Sequence, residues 1–132
     1  MEEIPPFERT TDFEHWNRYA AVNDEFVPIH MDDDAGRAAG YPSAFGMGNL
    51  QWAYLHNVLR EWIGVDGRIV RIGCQFRGPN LRGAVVTARA SVTAVHRSNG
   101  ETMYDVDVWT EDASGIKIAV GHATVARPGG ET

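Results

Sequence analysis

Apolar and polar residues alternate along much of the second half of the chain. From residue 86 to residue 94, every even position is Val or Ala, whereas the odd positions carry Thr, Arg or Ser. Alternation with a period of two is typical of a β-strand that buries one face of a sheet. The pattern predicts strands at 68–77, 84–96, 102–111 and 117–126, joined as an antiparallel meander.

The side chains predicted to face inward are mostly small. In the first strand they are Val70, Ile72, Cys74 and Phe76, and in the second they are the even positions from Ala84 to Ala94. Small inward residues suit a sheet that packs closely around a thick helix.

The first half of the chain has a helical period instead. Trp16 and Ala20 lie on one face of a predicted helix at 12–22, and Thr11 and Glu14 form a capping box at its start. A short edge strand is predicted before this helix. A second, short helix is capped by Asp32 or Asp33 and ends at Gly40.

A longer helix is predicted at 47–62, and its charged residues, Arg60 and Glu61, lie in the last turn. A helix almost free of charge is expected to be buried. The helices come first and the strands follow, so the fold class is α+β, with an antiparallel sheet around one long central helix. We expect a single domain over residues 1–132.

Composition narrows the classes of function. The net charge is −6 and Lys and Arg are dispersed, which argues against a nucleic-acid partner. No apolar run reaches the roughly 20 residues of a membrane span, and the acidic N-terminus does not resemble a signal peptide. One cysteine allows no internal disulfide, and the five histidines have no metal-ligand spacing, so no metal site is predicted and a cytoplasmic setting is expected.

Candidate chemistry is concentrated between residues 23 and 48. Glu25 precedes His30 by five residues on a loop stiffened by Pro28, and glycines at 46 and 48 open the long helix. A carboxylate and an imidazole are the usual acid and base groups of enzymes. Backbone N–H groups at a helix N-terminus can hold a developing negative charge.

These residues resemble the signature of the MaoC-like dehydratase and R-specific enoyl-CoA hydratase family. The family pattern Asp-x-Asn-Pro-x-His is matched by Glu25-Phe-Val-Pro-Ile-His30, with Glu and Val in place of Asp and Asn. The family's His-Gly-Met is matched by Phe45-Gly-Met47, and its later Phe-Arg-x-Pro segment by Phe76-Arg-Gly-Pro79. The short form of the chain looks most similar to the small MaoC-like subunits of steroid side-chain degradation.

The resemblance implies a hotdog fold and a reaction that adds water to a trans-2-enoyl thioester, or removes it from a 3-hydroxyacyl thioester. Glu25 and His30 would activate water, and the N–H of Gly46, or that of a neighbouring residue, would stabilise the thioester oxyanion. The candidate substrate-binding residues are Val27, Met47, Gly48, Asn49, Tyr54 and Arg77. The resemblance implies no cofactor other than CoA as part of the substrate.

The sequence is compatible with more than one role for several residues and with more than one function. Asn49, Gln51 and Tyr54 either line an acyl tunnel or bond to neighbouring backbone, and Arg71 and Arg82 are further candidates for CoA phosphates. Two other functions are possible: a non-catalytic hotdog subunit of a heteromeric hydratase, and an acyl-CoA thioesterase, which the absence of an acidic residue at 49–59 disfavours. A lone sheet edge predicts either a homodimer or a heteromer with a second MaoC-like hotdog chain.

Overall fold

The computed structural model describes residues 3–24 and 26–129, so Glu25 lies outside the described residues. In chain order the elements are β1 (Phe7–Thr10), α1 (Phe13–Asn23), a 3-10 turn (Pro28–His30), α2 (Asp33–Ala38), α3 (Gly48–Ile63), β2 (Arg68–Phe76), β3 (Val85–Ser98), β4 (Glu101–Glu111) and β5 (Lys117–Pro128).

The long helix α3 packs against the sheet and contacts all five strands. Leu55, Val58 and Leu59 are fully buried, and they belong to the same core cluster as Val106 and Val108 of β4. The predicted α+β architecture, with one long buried helix against an antiparallel sheet, is confirmed. None of the helices described is both long and apolar enough to cross a membrane.

The sheet has the strand order β1-β3-β4-β5-β2, and every neighbouring pair is antiparallel. The predicted meander is correct for β3, β4 and β5 but wrong for β2, which pairs with β5 instead of β3. The reason is the connection at 77–84, which runs from β2 at one edge of the sheet to β3, next to the opposite edge. It is held by a bridge between Phe45 and Leu81 and by the Thr11 N–H, which donates to the Ala84 carbonyl.

Two β-bulges change which residues face the core. β2 shifts register between Ile69 and Arg71, and Val70, which we predicted to be buried, is 44% exposed. Phe76, also predicted to face inward, is 52% exposed at the end of this strand. A bulge adds one unpaired residue and so reverses the alternation beyond it. The register of β3 also shifts between Val92 and Ala94, and beyond this point both faces of the strand are exposed.

The predicted capping box at the start of α1 is wrong. The cap is Asp12, whose Oδ1 accepts a hydrogen bond of 2.7 Å from the Phe13 N–H. Thr11 is fully buried and its hydroxyl donates to the Ala84 carbonyl. Tertiary contact has taken the threonine hydroxyl that the local pattern assigned to the cap. The N-terminal cap of α2 is Asp32, one of the two residues predicted for this position.

Candidate active site

His30 is the last residue of the 3-10 turn that begins at Pro28. Proline is suited to the first position of such a turn, because its backbone angle is already helical and its nitrogen needs no hydrogen bond. The His30 ring is 8% exposed and lies edge-on against the Phe45 ring. Its Nδ1 is 2.6 Å from the Phe45 carbonyl oxygen. The Phe45 N–H donates in turn to the Ile29 carbonyl. The imidazole is therefore fixed to the chain just before the glycine turn.

The hydrogen bond to Phe45 also assigns the tautomer of the neutral ring. A carbonyl oxygen only accepts hydrogen bonds, so Nδ1 must carry the proton. Nε2 is then the nitrogen with a free lone pair. A buried imidazole that is fixed in this way can act as a base through Nε2.

The segment at 45–46 is held from its other side by the 77–84 connection. The Gly46 N–H donates a hydrogen bond of 2.7 Å to the Asn80 carbonyl. A Cβ at position 46 would lie 2.8 Å from the Trp16 indole nitrogen and 3.1 Å from Asn80 Oδ1. Trp16 and Asn80 are both buried, so only glycine fits here without a shift of the core.

Gly48 begins α3, whose cap position, Met47, has no side-chain hydrogen bond to the helix. None of the described residues accepts a hydrogen bond from the Gly48 N–H outside the helix. A Cβ at position 48 would lie 2.9 Å from the Phe76 ring, which is half-exposed and can move. The first N–H groups of a helix lie at the positive end of its dipole. Gly48 thus presents a free donor where a ligand oxygen can approach closely.

A cavity of about 300 Å³ lies beside this helix start. Gly46, Gly48 and Arg77 line it, together with the rings of Tyr41 and Phe45. Predicted residues from two separate parts of the sequence, the glycine turn and the segment that follows β2, therefore meet at one cavity. His30 is not part of its lining, but Phe45 contacts both the imidazole and the cavity.

Four buried side chains form a continuous chain of hydrogen bonds next to the cavity. The Thr110 hydroxyl donates to Gln51 Oε1 over 2.6 Å, and Gln51 Nε2 donates to Asn80 Oδ1 over 2.9 Å. Asn80 Nδ2 then donates to the Thr11 hydroxyl oxygen over 2.8 Å. These contacts join α3 to β4 and to the 77–84 connection, and they hold the residue whose carbonyl receives the Gly46 N–H.

The sequence predicts that Gln51 either lines a tunnel or bonds to neighbouring backbone, but it does not reveal the partners of this side chain. Gln51 lines the cavity, and its side-chain partners are Asn80 and Thr110 rather than neighbouring backbone. Asn80 follows a Gly-Pro pair in a region that reads only as a loop. Polar residues in a loop are common, so the sequence carried no signal that Asn80 is 2% exposed.

The other predicted substrate-binding residues are more dispersed. Val27 is 40% exposed, and its carbonyl accepts the His30 N–H. Met47 is 1% exposed and packs in the core. Asn49 is exposed in the first turn of α3. Tyr54 lines a different cavity, together with residues of β1 and α1.

Arg82, a candidate from the sequence for binding a CoA phosphate, forms ion pairs with two carboxylates of the protein itself. Its guanidinium lies 2.8 Å from both Asp12 Oδ1 and Asp33 Oδ2, and it stacks over the Phe13 ring. The hydrogen bond from Arg82, followed by that from the Phe13 N–H, lowers the pKa of Asp12. The Ala44 N–H, with Arg82 as a second partner, lowers the pKa of Asp33. Arg82 therefore stabilises the fold around α1 and α2, which leaves Arg77 as the arginine at the cavity.

Residues 3–113 match a protein-family model described as a MaoC like domain. No curated protein sequence matches the chain significantly.

Three solved structures with the same fold cover nearly all of the chain. The (R)-hydratase from A. caviae involved in PHA biosynthesis is 19% identical, with a TM-score of 0.85 and coverage of 97% of this chain and 98% of that one. The ChsH1-ChsH2 complex from Mycobacterium tuberculosis is 20% identical, with a TM-score of 0.82 and coverage of 96% and 95%. A MaoC-like dehydratase from Rhodospirillum rubrum is 15% identical, with a TM-score of 0.76 and coverage of 100% and 96%.

The likeness to these structures confirms the hotdog fold, while their low identity leaves substrate and assembly open. The family model covers most of the chain, including the His30 turn and the start of α3. The chain therefore belongs to the MaoC-like dehydratase family.

Proposed function

We propose that this chain is an enoyl-CoA hydratase, which adds water to a trans-2-enoyl thioester and catalyses the reverse dehydration of a 3-hydroxyacyl thioester. Membership of the family supports a hydratase in general terms. The observation that carries the proposal is the bond between His30 Nδ1 and the Phe45 carbonyl, because it leaves Nε2 as a base beside the glycine turn.

Hydration needs a base, an acid and a group that stabilises negative charge. His30 Nε2 takes a proton from the water as the water oxygen attacks the β-carbon of the substrate. Negative charge then develops on the thioester oxygen, and the second acid–base group, in its protonated form, delivers a proton to the α-carbon. We assign this group as Glu25, which also holds the same water and regains its proton from the protonated His30 after the reaction. The Glu25 side chain lies outside the described residues, so this assignment rests on its match to the family motif.

We assign the main oxyanion contact to the Gly48 N–H. Of the donors considered from the sequence, Gly46 already donates to the Asn80 carbonyl, whereas the Gly48 N–H has no acceptor among the described residues. Gly48 also lies at the positive end of α3, which favours an anion. The Gly46 N–H can join the contact only if its bond to Asn80 opens.

Arg77 is the residue we propose for a CoA phosphate. It is exposed, it lines the cavity and it has no ion pair with another described residue. Asn49 and the Val27 side chain, both exposed, would contact the thioester arm of the substrate. Met47 is buried, so we assign it no contact with the substrate.

We propose that the partner is a second hotdog chain rather than a copy of this one. β2 is an edge strand that carries Arg71 and is followed directly by Arg77, and the chain has no acidic residue between Gly67 and Gly83. Pairing β2 with its own copy about a two-fold axis would bring positive charges together without a compensating carboxylate on either strand. An edge strand with Asp or Glu would be complementary. The ChsH1-ChsH2 complex is an example of a heteromer with this fold.

A non-catalytic subunit is the second candidate. It is favoured by the bond between the Gly46 N–H and the Asn80 carbonyl, which occupies one potential oxyanion donor. In that case the partner would supply the acid, the base and the oxyanion contact.

The test measures loss of enoyl absorbance with crotonyl-CoA and with a bulky enoyl-CoA, using the purified chain alone and with a co-encoded hotdog chain. We expect hydration that falls at least about 100-fold in His30→Ala and in Glu25→Gln. His56→Ala, at a partly buried histidine on α3, is the matched control and should retain activity. Hydration that survives in both site variants would refute the site assignment. Activity that needs the partner and is unchanged by both variants would support the non-catalytic subunit, and thioester hydrolysis without hydration would support a thioesterase.

A further inference from the structure

A second cavity, of about 290 Å³, lies between β1, α1 and α3. It shares no lining residue with the cavity at the glycine turn. Arg9 of β1, His15 and Arg18 of α1, and Tyr54 of α3 line it. The proposed hydration chemistry uses none of these side chains, although the sequence offered Tyr54 as a residue that lines an acyl tunnel or bonds to neighbouring backbone.

Tyr54 supplies a buried donor without an acceptor. The residue is 4% exposed, and its hydroxyl oxygen is buried without a hydrogen-bond partner among the described residues. The ring packs against the Phe7 ring at a centroid distance of 5.9 Å, which fixes its orientation. Burial raises the pKa of Tyr54 to about 12, so the hydroxyl keeps its proton and acts as a donor. Buried hydroxyl groups in proteins usually have a partner, and such an exception points to an unfilled site.

His15 adds a second buried atom without a partner on the same cavity. Its Nδ1 is buried and makes no hydrogen bond to a described residue. The two unpartnered atoms belong to different elements, α1 and α3, that meet at the cavity.

The charge around this cavity is positive, although the chain as a whole has a net charge of −6. Arg9 lies over the Phe7 ring at 5.1 Å and makes no ion pair with a described residue. Arg18 pairs with Glu14 at 3.3 Å, but both side chains are well exposed, so this pair leaves the guanidinium able to turn. A monoanion with oxygen acceptors is therefore the complementary ligand.

We propose that this cavity binds a carboxylate group of an organic ligand. One carboxylate oxygen accepts from the Tyr54 hydroxyl, and Arg9 supplies the balancing charge. Two sources have this chemistry: the far end of an acyl chain bound at the glycine turn, and a free carboxylic acid. The first source rests on the proposed function, and Leu50 makes it feasible because it lines this cavity and lies in the first turn of α3, close to Gly48.

Binding is tested without turnover, by titrating the protein with butyrate and with neutral butyramide while amide NMR shifts are recorded. We expect saturable shifts with butyrate at the residues that line the cavity, and none with butyramide. Tyr54→Phe keeps the ring packing and should weaken butyrate binding about tenfold, as should Arg9→Gln. Arg37→Gln removes the same charge from α2 and is the control that should bind as the unmodified protein does. Absence of saturable shifts at the cavity, or equal affinity in Tyr54→Phe, would overturn the proposal.

The source is identified with two enoyl-CoA substrates of equal chain length, one ending in a methyl group and one in a carboxylate. If the acyl chain is the source, kcat/KM should be about tenfold higher for the carboxylate, and Arg9→Gln should remove this preference without affecting the methyl substrate. Equal kcat/KM values together with butyrate binding support the free acid. If the chain hydrates neither substrate, the proposed function fails, while the titration still decides whether the cavity binds a carboxylate.

Discussion

Two connections of opposite character join the chain around residue 11 to the chain around residue 81. Inside the protein, the Asn80 amide donates to the Thr11 hydroxyl, and both residues are buried. At the surface, one residue beyond Thr11 and two residues beyond Asn80, Arg82 donates to Asp12. The inner connection uses neutral groups and the outer one uses charges, although the two are neighbours in sequence.

The difference shows how burial selects the chemistry of a contact. A charge in the interior would lose its hydration, whereas an amide and a hydroxyl can be satisfied by each other. Once buried, such a network is sensitive to change, because a missing partner leaves another group unsatisfied. If the exposed Arg82 side chain is removed, water can hydrogen-bond to the carboxylates of Asp12 and Asp33 in its place. Its removal should therefore lower the stability less than the loss of a side chain of the buried network.

The largest effect is expected from Asn80→Ala. The substitution removes the acceptor of the Gln51 amide and the donor to Thr11, and it leaves Gln51 buried with an unpaired N–H. The free energy of unfolding should fall by about 3 kcal/mol, as measured by urea denaturation. Asn17→Ala, at an exposed position of α1, is the control and should change it by less than about 0.5 kcal/mol. A loss for Asn80→Ala no larger than the control would mean that the inner connection adds little stability.

A double-mutant cycle on Gln51→Leu and Thr110→Val should give the next largest effect. Each single change leaves a buried polar partner unpaired, and about 2 kcal/mol should be lost in each case. The double variant should lose less than the sum of the single losses, by about 1 kcal/mol, because neither side chain then has a polar group left to satisfy. Unfolding curves of the four proteins measure this coupling, and strict additivity would show that the two side chains do not depend on each other.

The smallest effect on stability is expected from Arg82→Gln, and it should depend on pH. The folded-state pKa values of Asp12 and Asp33 are lowered, so their contribution is present above the unfolded value, about 3.9, and is lost as the pH falls through the folded values. The stability difference between the variant and the unmodified protein should therefore be constant near neutral pH and vanish in acid. In a carboxyl NMR titration, the pKa of Asp12 should rise more than that of Asp33, because Arg82 is the main partner of Asp12 whereas Ala44 is that of Asp33. A difference that grows in acid would contradict this account.

Residues of the candidate site that belong to local motifs could be predicted from the sequence, whereas a residue defined by long-range contacts could not. The glycines, His30 and Arg77 were identified from a short motif, and the structure gathers Gly46, Gly48 and Arg77 at one cavity. Asn80 could not be identified, because its partners Thr11 and Gln51 are 69 and 29 residues away in sequence. The roles of Glu25 and His30 in catalysis stay predictions.

The sequence by itself determined the elements that depend on local patterns: the strands with alternating residues and the uncharged helix α3, and it narrowed the cap of α2 to Asp32 or Asp33. It also determined the family, since the spacing of a few residues around His30 and Gly46 is enough to recognise it. Only the tertiary structure decided that β2 pairs with β5, that Thr11 serves the core instead of a helix cap, and that Tyr54 faces a second cavity. In each case the local sequence is compatible with more than one partner. Burial against a segment that is distant in sequence selects one of them.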